Sequence, residues 1–275
     1  MAGRYRLIER CGTGPSADVY RTHDTHTGAI VAARVQRRQG AQEPAQQRRL
    51  ADQVRAFHAA APHKALVPVL DSLDDVLEGR GLVATEFVTT PALPHVLAAG
   101  PLQFDAALEA IMQLAALVEH LHARAVLARD LRAGAVFLGV SGPQVVVRLS
   151  LDALCPGPVA APESLGPGER FAQWAAPGYI APERLKGEAA TAASDVYALA
   201  ALFYEILSSR PAFHGAPDEI VRQHLEAPAP VLRFALEGAP RALEALLAKM
   251  FAKVPRFRPT LAEVRQGLDA VRERG

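Results

Sequence analysis

Two stretches of this chain carry residues that could do chemistry. In VLARDLRAGAVFL, Val126 to Leu138, Asp130 offers a carboxylate inside an irregular segment. Such a group can act as a general base that takes a proton from a hydroxyl, or it can do no more than bond nearby backbone groups. In GTGPSADVY, Gly12 to Tyr20, the glycines Gly12 and Gly14 either cover a nucleotide or form the hairpin turn between two strands. The histidines offer less. His23 and His26 fall in a hairpin turn, and His120 and His122, two apart on a helix, point to different sides, so neither pair is expected to hold a metal.

These residues sit in a chain of 275 residues, 50% hydrophobic and 21% charged, long enough to bury a large core as one domain or as two lobes sharing a cleft. The net charge is +1 and the basic residues are scattered in short clusters such as Arg37-Arg38, so no nucleic-acid footprint is expected. Cys11 and Cys155 lie far apart and match no metal or redox spacing, which suits a reducing compartment. The opening MAGRYRLIER lacks an apolar core followed by a cleavage site, and the longest apolar run, around Ala198 to Leu207, is broken by Tyr204 and Glu205. The expectation is a cytoplasmic protein without a membrane segment. The heavy use of Ala, Arg and Pro has a bacterial look.

The elements that must position the candidate residues change character along the chain. YRLIERCG, ADVYRTH and AIVAARVQ are short β-type runs separated by turn residues; two more apolar runs follow at Leu66 to Leu70 and Leu82 to Val88. Between them, Leu50, Val54 and Phe57 recur at helical spacing in the polar segment Gln42 to His58. This predicts a sheet of about five strands with one helix. From Phe104 the apolar residues Leu108, Ile111, Ala115, Val118 and Leu121 mark one helical face, and the second half reads as mainly helical. Asp195 to Leu207 is apolar almost all round, which predicts a buried helix, and Thr260 with Glu263 forms a capping box that starts a last amphipathic helix. Cys155 to Arg170, rich in Pro and Gly, reads as a long exposed loop.

In this order the motifs resemble the eukaryotic-type Ser/Thr protein kinases of bacteria, over Gly3 to about Arg272. GTGPSADVY resembles the glycine-rich loop, with Ala17 at its third glycine. VAARV resembles V-A-I-K with Arg34 in the lysine position, and ATEFV the hinge that adenine contacts. ARDLRAGA resembles the catalytic loop H-R-D-L-x-x-x-N, and YIAPE matches A-P-E. SDVYALAALFYEILSSRPAF resembles the central helix of the large lobe, and KMFAKVPRFRPT the closing motif with Arg258. The resemblance implies an α+β bilobal protein-kinase fold: a small antiparallel β lobe with one helix, about residues 1–88, and a larger mainly helical lobe, about 89–275, within a single domain. It also implies a nucleotide site at Gly12, Gly14, Val19, Ala32, Glu86 and Val88, with Phe137 replacing a smaller aliphatic residue on its floor. Glu183 and Arg258 are implied to form a buried ion pair, and Asp195 to bond the catalytic-loop backbone.

Departures from the family pattern fall on the chemistry. Phosphoryl transfer needs the γ-phosphate held, its charge neutralised by magnesium and the acceptor oriented. Arg34 is bulkier than the expected lysine, and its expected glutamate partner is replaced by Gln53 or, one place off, Asp52. Ala128 replaces the catalytic-loop histidine and Ala135 the metal-binding asparagine. Aligning Arg148 with the usual basic residue puts Leu151 at the metal-binding aspartate, although a slip of one place would put Asp152 there. A hard cation demands oxygen ligands, so no metal site is expected. Ala176 stands where a threonine is usual, and the segment Leu151 to Trp174 contains no Thr or Tyr and only Ser164. The resemblance therefore implies a pseudokinase, a regulatory or scaffolding module for a protein partner such as an active kinase, with ATP bound weakly and without magnesium if at all. The alternative is a slow or atypical ATP-dependent Ser/Thr kinase using Asp130, Arg34 and Asp152. The segment His214 to Phe234 is expected to form a short helix whose side with Ile220, Val221 and His224 or Leu225 either docks a partner or packs onto the lobe.

Overall fold

The β-type runs that open the chain pair with one another in a five-stranded antiparallel sheet. The computed structural model describes residues 3–13, 17–36, 62–77, 80–154, 177–234, 236 and 238–273. Its strands are β1 (Tyr5–Thr13), β2 (Ala17–Asp24), β3 (Ile30–Gln36), β4 (Val69–Leu77) and β5 (Arg80–Glu86), in spatial order β1-β2-β3-β5-β4. Alternation along β3 sends Val31, Ala33 and Val35 to one face, where they meet Tyr5, Leu82 and Ala84 in the core of this unit. Arg4 ties three elements together: it donates to both carboxylate oxygens of Asp24, at 2.9 Å each, and to Asp71 at 2.7 Å. Tyr5 OH donates to the same Asp71 oxygen at 3.0 Å.

The expected strand at Leu66 to Leu70 is corrected. Ala65, Leu66 and Val67 are buried but not in the sheet, and the strand runs from Val69 to Leu77, through Asp71, Asp74 and Asp75, residues that hid it from a reading of apolar runs. The helix expected in Gln42 to His58 and the loop expected at Cys155 to Arg170 lie outside the described residues.

The chain divides into two compact units, Met1–Thr89, which contains this sheet, and Thr90–Gly275. The second is mainly helical, with α1 (Leu93–Ala98), α2 (Phe104–His122), α3 (Pro182–Leu185), α4 (Ala192–Ser208), α5 (Pro217–Glu226), α6 (Arg241–Met250) and α7 (Leu261–Arg272). The apolar stripe of α2, including Leu108, Ile111, Leu114, Val118 and Leu121, is fully buried, and α2 packs against both α4 and α7. On α4, Val196, Leu199, Leu202, Phe203 and Ile206 are also buried, as a helix apolar all round requires. Capping boxes start both α4, from Thr191 and Ser194, and α7, from Thr260 and Glu263.

A hairpin that the helical reading of this half did not anticipate, β6 (Val136–Ser141) with β7 (Gln144–Leu149), turns through Gly142 at φ 57. The architecture is α+β and bilobal. No described helix is long and apolar enough to cross a membrane.

Candidate functional site

The strand register gathers Val19, Ala32 and Arg34 of the first unit on one face. Val19 on β2 lies opposite Arg34 on β3, which lies opposite Val83 on β5; Ala32 lies opposite Arg21 and Thr85 in the same way. Because Val31, Ala33 and Val35 fill the core face, Ala32 and Arg34, both half-buried, stand on the other face together with Val19. Gly12 pairs with Val19, and a Cβ at Gly12 would sit 3.7 Å from that of Val19, an ordinary contact, so strand packing does not itself require glycine there. Gly14 lies outside the described residues. Glu86 closes β5 opposite Val31, its N–H donating to the Pro68 carbonyl at 3.1 Å, and Val88 follows, half-buried. Phe137 belongs to the second unit, on β6 opposite Arg148 and bridged to Ala92.

The second unit builds the loop around Asp130. Beyond the end of α2 the chain turns through Ala125 at φ 57, and Arg129 is held at φ 47. A non-glycine residue rarely adopts that conformation unless its surroundings hold it there. The restraint is Asp195 in the first turn of α4: its Oδ2 accepts the Ala128 N–H at 2.8 Å and its Oδ1 the Arg129 N–H at 3.0 Å. His122 Nε2 lies 2.8 Å from Asp195 Oδ2. Asp130 itself donates its N–H to the carbonyls of Ala128, at 2.5 Å, and Ala153, at 3.1 Å, while its Oδ2 accepts from Arg132 Nε at 3.0 Å. Arg129, Asp130, Leu131, Tyr179, Arg184 and Asp195 line a pocket at this loop.

Five residues past Asp130, Ala135 closes a 3-10 turn and is fully buried, its carbonyl accepting the Ser150 N–H at 2.8 Å. A methyl group there offers no oxygen to a cation. Leu151 and Asp152 lie in a 3-10 turn, 151–154. Among the described residues no cluster of three His, Cys, Asp or Glu side chains could hold a metal.

Beneath the loop lies a buried ion pair. Arg258 grips Glu183 with two bonds, Nη1 to Oε1 at 2.6 Å and Nη2 to Oε2 at 2.7 Å, and Ser194 Oγ donates to the same Oε1 at 2.8 Å. The remaining three guanidinium hydrogens reach the carbonyls of Ala252 and Ala193, each at 2.8 Å, and of Lys253 at 3.3 Å, and the group stacks 4.9 Å from the Tyr197 ring centroid. Burial pushes the Glu183 carboxyl up, but the bonds from Arg258, its own backbone and Ser194 outweigh it and hold the group below the usual carboxylate range. Tyr179 OH donates to Glu205 nearby; burial and then the Glu205 charge push the phenol well above its ordinary value.

The two interactions implied for Glu183, Arg258 and Asp195 are present. Sequence reasoning missed the residues that complete them, His122, weighed only as half of a metal pair, and Ser194; it also missed Arg132 beside Asp130 and Tyr179 beside Glu205, whose partners are named by no local spacing. On α5, His224 is no surface residue, because Nδ1 lies 3.0 Å from Tyr197 OH and the ring is fully buried beside Phe213; Ile220, Val221 and Leu225 are half-buried. The expectation that His224 could line a docking side is corrected.

The protein kinase domain family matches residues 5–267 of this chain. Relatives include a probable serine/threonine-protein kinase of Streptomyces coelicolor, 30% identical over 281 residues that cover 98% of this chain and 40% of that protein. The DNA damage-responsive serine/threonine-protein kinase RqkA of Deinococcus radiodurans is 31% identical over 264 residues, 94% of this chain and 38% of its own length. The serine/threonine-protein kinase PknB of Mycolicibacterium smegmatis is 28% identical over 283 residues, 99% of this chain and 44% of its own. The chain thus spans about two fifths of the length of these relatives. With the sheet, the Asp195-held loop and the Glu183–Arg258 pair arranged as that family's motifs imply, the chain belongs to the protein kinase domain family.

Proposed function

We propose that this kinase domain is a pseudokinase that works through protein contacts rather than by phosphoryl transfer. The observation that carries the reading is Ala135: fully buried, five residues from Asp130 on a loop whose backbone anchors are all in place, it supplies a methyl group where the family's chemistry calls for a metal-binding oxygen. Arg34 adds to it, since a planar guanidinium replaces the compact ammonium that would hold phosphates. Any nucleotide is held on the first unit, by Gly12, Val19, Ala32, Glu86 and Val88, without help from magnesium. The partner is a protein, an active kinase or another signalling protein in the cytoplasm, met through the half-buried Ile220, Val221 and Leu225 of α5.

The test is labelled ATP with generic protein substrates, alongside nucleotide binding with and without magnesium. Active kinases turn over at about 1 to 100 per second, and the expected rate here is at least roughly a thousandfold lower. Binding, where found, is indifferent to magnesium. Turnover in the normal range that Asp130→Asn abolishes would overturn the proposal in favour of the second reading, an atypical Ser/Thr kinase. What favours that second reading is Asp130, fixed by two backbone bonds and Arg132 in a position from which a carboxylate can take a proton.

A further inference from the structure

Helix α5 is fastened to the second unit near its C-terminal end. It packs on the 3-10 turn Pro177–Tyr179 and on α3, with Ile220, Val221 and Leu225 half-buried, whereas His224 is fully buried. The His224 ring meets the Phe213 ring edge-on at 4.6 Å and lies 5.7 Å from that of Tyr197 on α4. No other histidine of α5 or its supports shares this burial among the described residues.

The direction of the hydrogen bonds fixes the state of this ring. Lys253 Nζ sits as an ammonium at the end of the helix where carbonyls are left over, donating to the His224 carbonyl at 2.8 Å, the Gln223 carbonyl at 3.1 Å and Tyr197 OH at 3.4 Å. Burial and then Arg258 lower this amine to about 8, so it keeps its charge at neutral and acid pH. An ammonium only donates, so the Tyr197 oxygen accepts from it and turns its own proton to His224 Nδ1, 3.0 Å away. Nδ1 is therefore an acceptor and the imidazole is neutral, with its proton on Nε2. Nε2 makes no full hydrogen bond among the described residues, and the Gly178 backbone it faces offsets burial only in part. A second proton, on Nδ1, would confront the phenol proton and bury a charge close to Lys253 and Arg258. The carboxylate on α3, Glu183, is already gripped by Arg258 and Ser194.

We propose that His224 is an acid-operated latch, and that protonation of its imidazole releases α5 from the elements beneath it. The ring accommodates a second proton only by leaving its place, and the helix that carries it must leave too. The latch operates whether or not α5 docks a partner. Burial, then the charge of Lys253, push the imidazole from its ordinary 6.5 down to about 3, so its stabilisation is full above pH 6.5 and is lost as pH falls below that value. The charged and titratable groups on the neighbouring elements do not mimic this. Tyr179 and Tyr197 are pushed far up by burial, and Arg184, Lys253 and Arg258 stay charged. Glu183 is held below its ordinary 4.5, under the window in which His224 acts. Glu205, bonded to Tyr179, is pushed up by burial, and a carboxyl held high favours the folded state as pH falls, the opposite sign.

The experiment follows hydrogen exchange of the α5 amides in the full chain from pH 7 to pH 5, corrected for the pH dependence of unprotected amides, with α7, which contains no histidine, as the internal reference. Protection of α5 relative to α7 should fall at least about tenfold across this range in the wild type and stay level in His224→Gln, which keeps an acceptor but does not titrate. An α5 protection that does not change overturns the proposal. So does an equal fall in His224→Gln, which would assign it to another group, or an equal fall in α7, which would mean that the whole unit opens. If His224→Gln does not fold, nitrogen NMR of the wild-type imidazole decides. A ring protonated on Nε2 at pH 7, and charged only as α5 loses protection, supports the latch; a charged ring beneath a still protected α5 overturns it.

Discussion

The floor beneath the Asp130 loop and the loop's own far end use polar groups in opposite ways. In the floor, Glu183, Arg258, Ser194 and Asp195 are all buried, and each is met by partners at hydrogen-bond distance. At the far end, Ala133 and Ala135 are buried with side chains that can bond nothing, and Val136 follows. Burying a charge without a partner is costly, so a carboxylate or guanidinium in the floor persists only while its partner does. The alanines carry no such obligation. The lesson is that dense charge in this domain marks where the fold depends on it, and reading chemistry from charge alone would point to the wrong place.

The contrast can be broken most forcefully at the ion pair. Glu183→Ala leaves Arg258 buried and uncompensated, and the expected loss is roughly 3 to 5 kcal/mol of stability, seen as a fall in the denaturant midpoint. A wild-type midpoint would mean that the pair does not hold the fold. The same pair sets a pH response. Because Glu183 is held below its ordinary value of 4.5, its stabilisation is full above that value and is lost as pH falls through the lower folded-state value. The acid limb of an unfolding titration should therefore weaken in Glu183→Gln.

Next comes Asp195→Asn, which keeps the shape but turns an acceptor of two backbone N–H groups and His122 into a half-donor. Bonds to charged groups contribute about 1.5 to 3 kcal/mol each, and a loss within that range is expected for the set. Hydrogen exchange at Ala128 and Arg129 should rise with it. Exchange that stays at the wild-type level would show the loop to be held by other means.

The smallest effect lies at the other end of α4. Ser209 takes a left-handed conformation, φ 54, and its buried Oγ has no hydrogen-bond partner among the described residues. Ser209→Gly removes both penalties and should stabilise by about 1 kcal/mol, read as a higher Tm. A lower Tm would mean that this hydroxyl is bonded after all.

How much of this was legible in the sequence follows from distance along the chain. The apolar periods of α2, α4 and α7 are local and were readable, as was the capping box at Thr260. Glu183 and Arg258, 75 residues apart, were paired only because each stood inside a motif. His122 and Asp195, 73 residues apart, had one end in a motif and one outside it, so the bond went unseen. The β6–β7 hairpin escaped because its strands have six residues each and lie among helices. On α5 the apolar spacing was right but could not tell the packed side from the open one; burial of His224 against Tyr197 decides that.

Asp195 has one more consequence. It grips the loop by the peptide N–H groups of residues 128 and 129, atoms that every residue except proline supplies. The loop's path is therefore insulated from the identity of the side chains it carries. Ala128 in place of a histidine therefore leaves both anchors of the main chain intact, and it is the packing around the fully buried methyl group, not the anchors, that limits a larger residue there.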